Sequence, residues 1–295
     1  MTNILVTGAT GLIGAHLVDD LQKLGHNLFC VSRSGSVLGN YEDVKIDLST
    51  NWNISALPSN IDVIFHLAQS DKFRDFPSGA PDMFQVNVNS TAKLLDYSRK
   101  AGVGKFIYAS SGGIYGTGSK PFHENAPTVP VGELGYYLGS KACSEILAQS
   151  YSTEFQVLTV RPFFIYGKTQ DRSMLIARLF DNVVAGKSIL LSGENGIRIN
   201  PIHVNDAVKV LTSTLTLECK ESRTYNMGGP EILSIREICD LFGAYLGKLP
   251  KYEIEAGVSN DLIGDIALIS KELHQPNLRL SDMFYELEIN SPYLK

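Results

Sequence analysis

The sequence predicts an α/β fold: a doubly wound parallel sheet with a smaller C-terminal lobe. Three observations carry this prediction. Short apolar runs near 3–7, 27–31, 61–67, 104–110 and 155–161 alternate with helix-forming stretches near 12–24, 81–101 and 136–153. Repeated strand–helix units build a parallel sheet with helices on both faces. A glycine cluster separates the first strand from the first helix, and the alternation changes after Gly167. The 295 residues allow one large domain or one domain with a lobe. The expected division is 1–167 plus 199–227 for the main domain, with 199–227 returning to its sheet, and 168–198 plus 228–295 for the lobe. The stretch 248–266, with Pro250 and two glycines, reads as a loop.

The first strand, Asn3 to Thr7, runs into Gly8, Gly11 and Gly14, and then into an amphipathic helix. Strand, glycine loop and helix in this order are the context of a Rossmann-type dinucleotide site. Gly8 permits the tight turn, Gly11 lets backbone approach a pyrophosphate, and Gly14 lets helix and strand pack closely. The spacing is G-x-x-G-x-x-G. The helix N-terminus offers unpaired N–H groups and a positive dipole end to phosphate. The second strand ends at Ser32-Arg33-Ser34. A carboxylate there would hold the ribose 2′-hydroxyl of NAD, and none is present. The hydroxyl and the guanidinium favour NADP(H) over NAD(H), since Arg clamps phosphate and keeps its charge. The other reading is a solvated Arg33, with NAD bound without the acidic contact.

Tyr137 and Lys141 stand four residues apart in a helical stretch, so they share one face. An ammonium beside a phenol favours the phenolate, which would bring Tyr137 below its ordinary pKa of about 10.

With these residues in place, the chain resembles the extended short-chain dehydrogenase/reductase family, which includes nucleotide-sugar epimerases, dehydratases and reductases. The resemblance covers nearly the whole chain. It runs through Thr7–Gly14, Lys45-Ile46-Asp47-Leu48, the strand Val63–Ala68, Asn87-Val88-Asn89-Ser90-Thr91, Lys105–Gly116, Val160–Gly167, Ile202–Asp206 and Tyr225–Gly229. It implies a catalytic set of Ser111, Tyr137 and Lys141; of the two adjacent serines, Ser111 has the family's spacing to Ile114-Tyr115-Gly116, while Ser110 packs or bonds locally. It implies cofactor contacts at Gly8, Thr10, Gly11, Leu12, Ile13, Ser32, Arg33, Asp47, Leu48, Leu67, Ala68, Ala109, Tyr137, Lys141 and Pro162. Lys141 would bond the nicotinamide ribose, Tyr137 would exchange a proton with a sugar hydroxyl or ketone, and Ser111 would orient the same oxygen.

Three departures from the family narrow the expectation. Gly112 and Gly113 stand where a 4,6-dehydratase would carry Asp-Glu, and Gly112 stands where a GDP-fucose-type epimerase-reductase would carry Cys. Phe164 stands near the place where many 4-epimerases use Asn to hold the substrate diphosphate. Substrate contacts are expected from Ser111, Phe164, Arg172 and Arg198, with Arg178 and Lys187 as further anion candidates. The leading expectation is an NADP(H)-dependent reductase or dehydrogenase acting on a keto or hydroxyl carbon of a nucleotide-linked sugar. The alternative is a nucleotide-sugar 4-epimerase with tightly bound NAD. A non-catalytic NAD(P)-sensing protein is a minor alternative, which the intact Ser111, Tyr137 and Lys141 oppose.

Hydrophobic content of 44%, charged content of 19% and a net charge of −5 are ordinary for a globular chain. With no long like-charge run, no nucleic-acid partner is expected. No apolar run reaches membrane-spanning length, so no membrane partner is expected either. Met1-Thr2-Asn3 leads straight into the first strand, so no cleavable leader is expected. Cys30, Cys143, Cys219 and Cys239 are far apart and read as buried or partly buried free thiols in a reducing cytoplasm; no metal is expected. His66 reads as a satisfied core or cofactor-proximal residue, and His203 as structural. By the resemblance, the helices near 81–101 and 136–153 would pair with a second copy in a homodimer.

Overall fold

The computed structural model describes residues 1–33, 41–218, 221–257, 260–289 and 291–294; Ser34 and Cys219 lie outside them. The chain begins with β1 (Asn3–Thr7), α1 (Leu12–Lys23), β2 (Asn27–Ser32), β3 (Glu42–Lys45) and β4 (Val63–His66). It continues through α2 (Ala80–Met83), a π-helical turn (Phe84–Asn89), α3 (Ser90–Ala101), β5 (Lys105–Ala109), α4 (Gly135–Gln149) and β6 (Gln156–Pro162). Next come β7 (Ile165–Tyr166), α5 (Leu175–Val184), β8 (Ser188–Ser192), β9 (Arg198–Ile199), β10 (Ile202–His203), α6 (Val204–Ser213) and β11 (Arg223–Met227). The last elements are β12 (Leu233–Ser234), α7 (Ile235–Leu246), β13 (Lys251–Glu255), α8 (Ala267–Glu272) and α9 (Phe284–Ile289). Two compact units form: Met1–Ile114 with Thr128–Arg161 and Leu211–Tyr225, and Tyr115–Pro127 with Pro162–Val210 and Asn226–Lys295.

The main sheet has the order β11-β6-β5-β4-β1-β2-β3, and β1 to β6 pair in parallel. Helices cover both faces of such a sheet, so its strands are apolar throughout rather than alternating. Ile4, Leu5, Ile64, Phe65, Phe106, Ile107 and Leu158 are all sealed from solvent. In α1, Leu17, Val18 and Leu21 form the buried stripe, and Gly25 then adopts the left-handed φ of 79° that ends the helix. Because the strands run the same way, the residues after β1, β2, β4 and β5 collect at one carboxyl edge, where open α/β sheets bind ligands. β11 joins this sheet beside β6, so of the segment 199–227 it is Arg223–Met227 that lies in the sheet.

Four expectations change. β3 was not foreseen: it is a charged strand of four residues in which only Val44 is buried. The helix expected over 81–101 is interrupted by the π turn. The helix expected over 136–153 starts at Gly135 and ends at Gln149. Finally, 248–266 is not all loop, because β13 pairs in parallel with β8. Tyr252 and Ile254 carry the strand's period-two pattern there, which Pro250 and the glycines obscured.

The second unit has small two-stranded sheets, β7 with β10, β9 with β12 and β8 with β13. Its core gathers Tyr166, Ile176, Phe180, Ile238, Phe242 and Leu287. A capping box between Ser234 and Glu237 starts α7, satisfying two otherwise unpaired backbone donors.

Candidate active site

The glycine loop is built for close approach. Gly8 has a φ of 72°, and a Cβ on it would stand 2.8 Å from the Ala68 backbone nitrogen. A Cβ on Gly14 would stand 2.1 Å from the Gly8 carbonyl oxygen, inside contact distance. Gly11 caps α1 with no side-chain acceptor, so no side chain caps the helix's first amides and they can serve an anion. Beside the loop lies a cavity of about 210 Å³. Of the residues expected at the cofactor, Gly8, Thr10, Gly11, Ser32, Arg33, Asp47, Leu48, Leu67 and Ala68 line it. Leu12 and Ile13 are half-buried in the first turn of α1 and do not line it. The glycine cradle and these uncapped amides fit a dinucleotide.

Asp47 accepts from Ser49 N at 2.9 Å and from Ser49 Oγ at 2.7 Å. These bonds hold its carboxyl below the usual range and keep it an acceptor on the cavity wall. At the end of β2, which carries no carboxylate of its own, two carboxylates arrive from elsewhere in the chain. Ser32 Oγ donates to Asp43 Oδ1 of β3 at 3.0 Å. Arg33 Nη1 meets Asp71 Oδ2 at 3.3 Å, with both side chains more than 60% exposed. Both acids come from elements outside β2, which is why the strand's own end did not reveal them.

His66 is sealed between Thr7 Oγ1 at 2.7 Å and Thr91 Oγ1 at 2.8 Å. Burial pushes its pKa down to about 3, so it is a neutral strut. Thr7 Oγ1 in turn accepts from Ala68 N, which fixes the loop over the cavity.

Lys141 is 1% exposed, and its Nζ donates to the Ala109 carbonyl at 2.8 Å. Ala109, expected at the cofactor, thus touches Lys141 through its backbone. Burial lowers the Lys141 pKa to about 8, against the opposing charge of Glu145. Glu145 itself is clamped by Arg161, through Nε–Oε1 at 3.0 Å and Nη2–Oε2 at 2.6 Å. Tyr137 is half-buried. Its ring packs on Phe73 at 5.4 Å between centroids, and its hydroxyl donates to Gln69 Oε1 at 2.9 Å. Burial raises its pKa to about 12. Burial sets this direction, and the expected lowering by Lys141 is not seen: the ammonium bonds the Ala109 carbonyl instead.

Ser111 is half-buried after β5, and its Oγ accepts from Gly113 N at 3.2 Å. A Cβ on Gly113 would meet Leu138 Cδ2 at 3.0 Å, so glycine lets this turn sit close to the residue after Tyr137. Ser110 packs rather than bonds: its Oγ is buried without a hydrogen-bond partner.

Pro162, expected at the cofactor, is the last residue of β6 and leads to Phe163, whose N–H bonds the Met227 carbonyl at 2.9 Å. The residues expected at the substrate in the second unit meet different fates. Phe164 has a φ of 50°, a left-handed region that non-glycine residues rarely adopt. Arg172 binds Asp181 through Nε at 2.8 Å and reaches the Leu287 carbonyl at 3.2 Å. Arg198 Nε donates to Asp261 Oδ2 at 3.0 Å. Arg178 is exposed on α5, and Lys187 Nζ bonds the Tyr293 hydroxyl at 3.0 Å. His203 is structural: its Nε2 meets Glu286 Oε2 at 3.0 Å, and Glu286 also accepts from Lys168 N.

Gln69, Asp71 and Asp82 line the cavity without having been singled out from the sequence. Gln69 had one available signal, its place directly after Ala68 in the strand end that the resemblance assigns to the cofactor. Cys30 and Cys239 are buried, but Cys143 is exposed, contrary to expectation. Among the described residues, no group of His, Cys, Asp and Glu could hold a metal, and no helix is long and apolar enough to cross a membrane.

Comparison with known proteins gives the chain a family. An uncharacterized UDP-glucose epimerase, YtcB of Bacillus subtilis, is 26% identical over 302 aligned residues, covering 95% of this chain and 94% of its own. The dTDP-4-dehydro-6-deoxy-D-allose reductase of Streptomyces bikiniensis is 27% identical, covering 86% of this chain and 84% of its own. The solved structure of MoeE5 with UDP-glucuronic acid and NAD is 26% identical and superposes with a TM-score of 0.84 over 96% of this chain and 97% of that one. The model of the NAD dependent epimerase/dehydratase family matches residues 4–228. The chain belongs to that family of NAD-dependent oxidoreductases and epimerases.

Proposed function

We propose that the protein is an NADP(H)-dependent reductase or dehydrogenase acting on a keto or hydroxyl carbon of a nucleotide-linked sugar. The first unit would bind the cofactor. The sequence ranges 168–198 and 228–295 would bind the rest of the substrate. The observation that carries the reading is the shared loop after β4: Gln69 lines the cofactor cavity and also holds the Tyr137 hydroxyl. The bound cofactor would supply or accept hydride at its nicotinamide carbon.

The chain's own residues do the remaining work. Tyr137, with a pKa of about 12, is a neutral phenol near neutral pH. It would give its proton to a ketone oxygen in the reductive direction. Ser111 Oγ would bond the same oxygen. Lys141, with a pKa of about 8, is a cation near neutral pH and would balance charge as the proton leaves Tyr137. The Arg33–Asp71 pair is exposed, and such pairs contribute about 1 kcal/mol or less. A ribose 2′-phosphate would readily take Arg33 from Asp71, which supports NADP(H).

The 4-epimerase reading has its own support, since YtcB is named a UDP-glucose epimerase and MoeE5 was solved with NAD. The Asn-to-Phe difference at Phe164 opposes it. Exposed Phe84 and Ile146, on the segments expected to pair with a second copy, support a homodimer. A cytoplasmic location accompanies this reading. The test is NADPH oxidation with a panel of nucleotide-linked 4-keto sugars: consumption of NADPH at one equivalent per keto sugar supports a reductase. Interconversion of sugar epimers without net NADPH consumption would replace it with the epimerase.

A further inference from the structure

The Tyr137 hydroxyl has a partner that the family resemblance does not supply. Gln69 Oε1 accepts from it at 2.9 Å, and Phe73 of the same loop leans on the ring. The loop is tied back to the Tyr137 helix by a chain of hydrogen bonds. Ser70 N donates to Asn87 Oδ1 at 2.9 Å, Asn87 Nδ2 donates to Ser140 Oγ at 2.9 Å, and Ser140 Oγ donates to the Tyr137 carbonyl at 2.6 Å. The peptide link from Gln69 to Ser70 closes the circuit. Asn87 sits in the π turn and is 1% exposed. A π turn, common at functional sites, displaces side chains from their α-helical directions, and here Asn87 spends both amide ends on the circuit. Ser70 Oγ also bonds the Asp82 carboxylate, anchoring the loop a second time.

We propose that Gln69 is a positioning residue for the Tyr137 acid/base: its amide oxygen holds the phenol protonated and aimed until a substrate oxygen takes its place. The inference rests on the reading of Tyr137 as the proton carrier. An acceptor that bonds only the neutral phenol favours that form. Gln69 does this without charge, so it adds no repulsion against the phenolate once the proton has left. The same loop forms part of the cofactor cavity wall, through Leu67 to Asp71, so Gln69 stands where cofactor and acid/base meet.

The test uses the full-length protein with a difluorotyrosine at position 137, whose ionisation is followed by fluorine NMR against pH without substrate. Parent, Gln69→Met and Gln69→Glu are compared; the site is exposed, so neither change strains the core. Gln69→Met is expected to raise the phenol ionisation constant about fivefold, the worth of one ordinary hydrogen bond. Gln69→Glu is expected to lower it by at least that factor, because a carboxylate repels the phenolate. Unchanged titrations, or shifts of the same sign, overturn the proposal. In turnover assays the pH profile of kcat should move with the same signs. Opposite fluorine shifts in a protein that reduces none of the keto sugars would keep the positioning role and retire the reductase reading. Unchanged titrations in an active reductase would do the reverse.

Discussion

The charged groups of the two units differ in what they face. In the first unit, Arg33 and Asp47 line the cavity beside the glycine loop, and Lys141 and Tyr137 form a pair whose pKa values burial drives apart, to about 8 and about 12. In the second unit, Arg172 and Arg198 are spent on Asp181 and Asp261, which are 6% exposed each. These groups of the first unit are therefore candidates for chemistry, whereas those two in the second are fastenings, as the Arg161–Glu145 pair of the first unit is. Burial of a paired carboxylate separates these cases, and a lone arginine in a sequence carries no sign of it.

The largest expected effect tests the first half of this contrast. Tyr137→Phe should lower kcat by about 10²–10⁴-fold and leave NADPH binding, measured by fluorescence titration, unchanged. Retained turnover would end the acid/base assignment. The second half is tested by Arg172→Ala. It leaves Asp181 nearly buried with its guanidinium gone, and should cost about 3 kcal/mol in urea denaturation. A stable variant with a raised substrate KM would instead make Arg172 a substrate ligand.

Lys141→Met sharpens the comparison through pH. The folded pKa of Lys141, about 8, lies below the ordinary lysine value of 10.5. Between those values the unfolded chain binds the extra proton, so this group's contribution to stability rises with pH across the window. The full penalty applies below pH 8 and amounts to about 3 kcal/mol. Lys141→Met should therefore be the more stable protein at pH 7, with the difference shrinking towards pH 10. A constant difference across that range would show that Lys141 is not destabilised by burial.

The legibility of each region follows from the same physics. The glycine loop, His66, Ser111 and the Tyr137–Lys141 spacing could be read because backbone geometry and a parallel sheet fix their places from local sequence. Asp43, Asp71 and Gln69 were missed because they reach the site from neighbouring elements, and sequence distance hides that approach. The reversed Tyr137 shift was missed because four-residue spacing shows that Lys141 is near but not that its ammonium bonds Ala109. β13 was missed because only two of its side chains carry the pattern, and the π turn has no period of its own in a helical stretch.

Two smaller effects complete the contrast. Arg33→Ala should weaken NADPH binding about 10–100-fold, the range for a hydrogen bond to a charged group, and leave NADH binding nearly unchanged. Equal losses for both nucleotides would reduce Arg33 to a general wall residue. Thr169 has a φ of 72° and an exposed side chain, so Thr169→Gly should stabilise the protein by about 1 kcal/mol. A loss of stability there would mean that the hydroxyl has a role the backbone strain serves.

The most direct test of the central claim is the cofactor the protein carries and prefers. The purified protein is denatured, the released nucleotide is identified, and the emptied protein is titrated with NADPH and NADH. A largely empty protein that binds NADPH at least about tenfold more tightly, the lower end of the Arg33 contribution, is the predicted result. Near-stoichiometric release of NAD(H) would contradict it and identify an epimerase that keeps its cofactor bound.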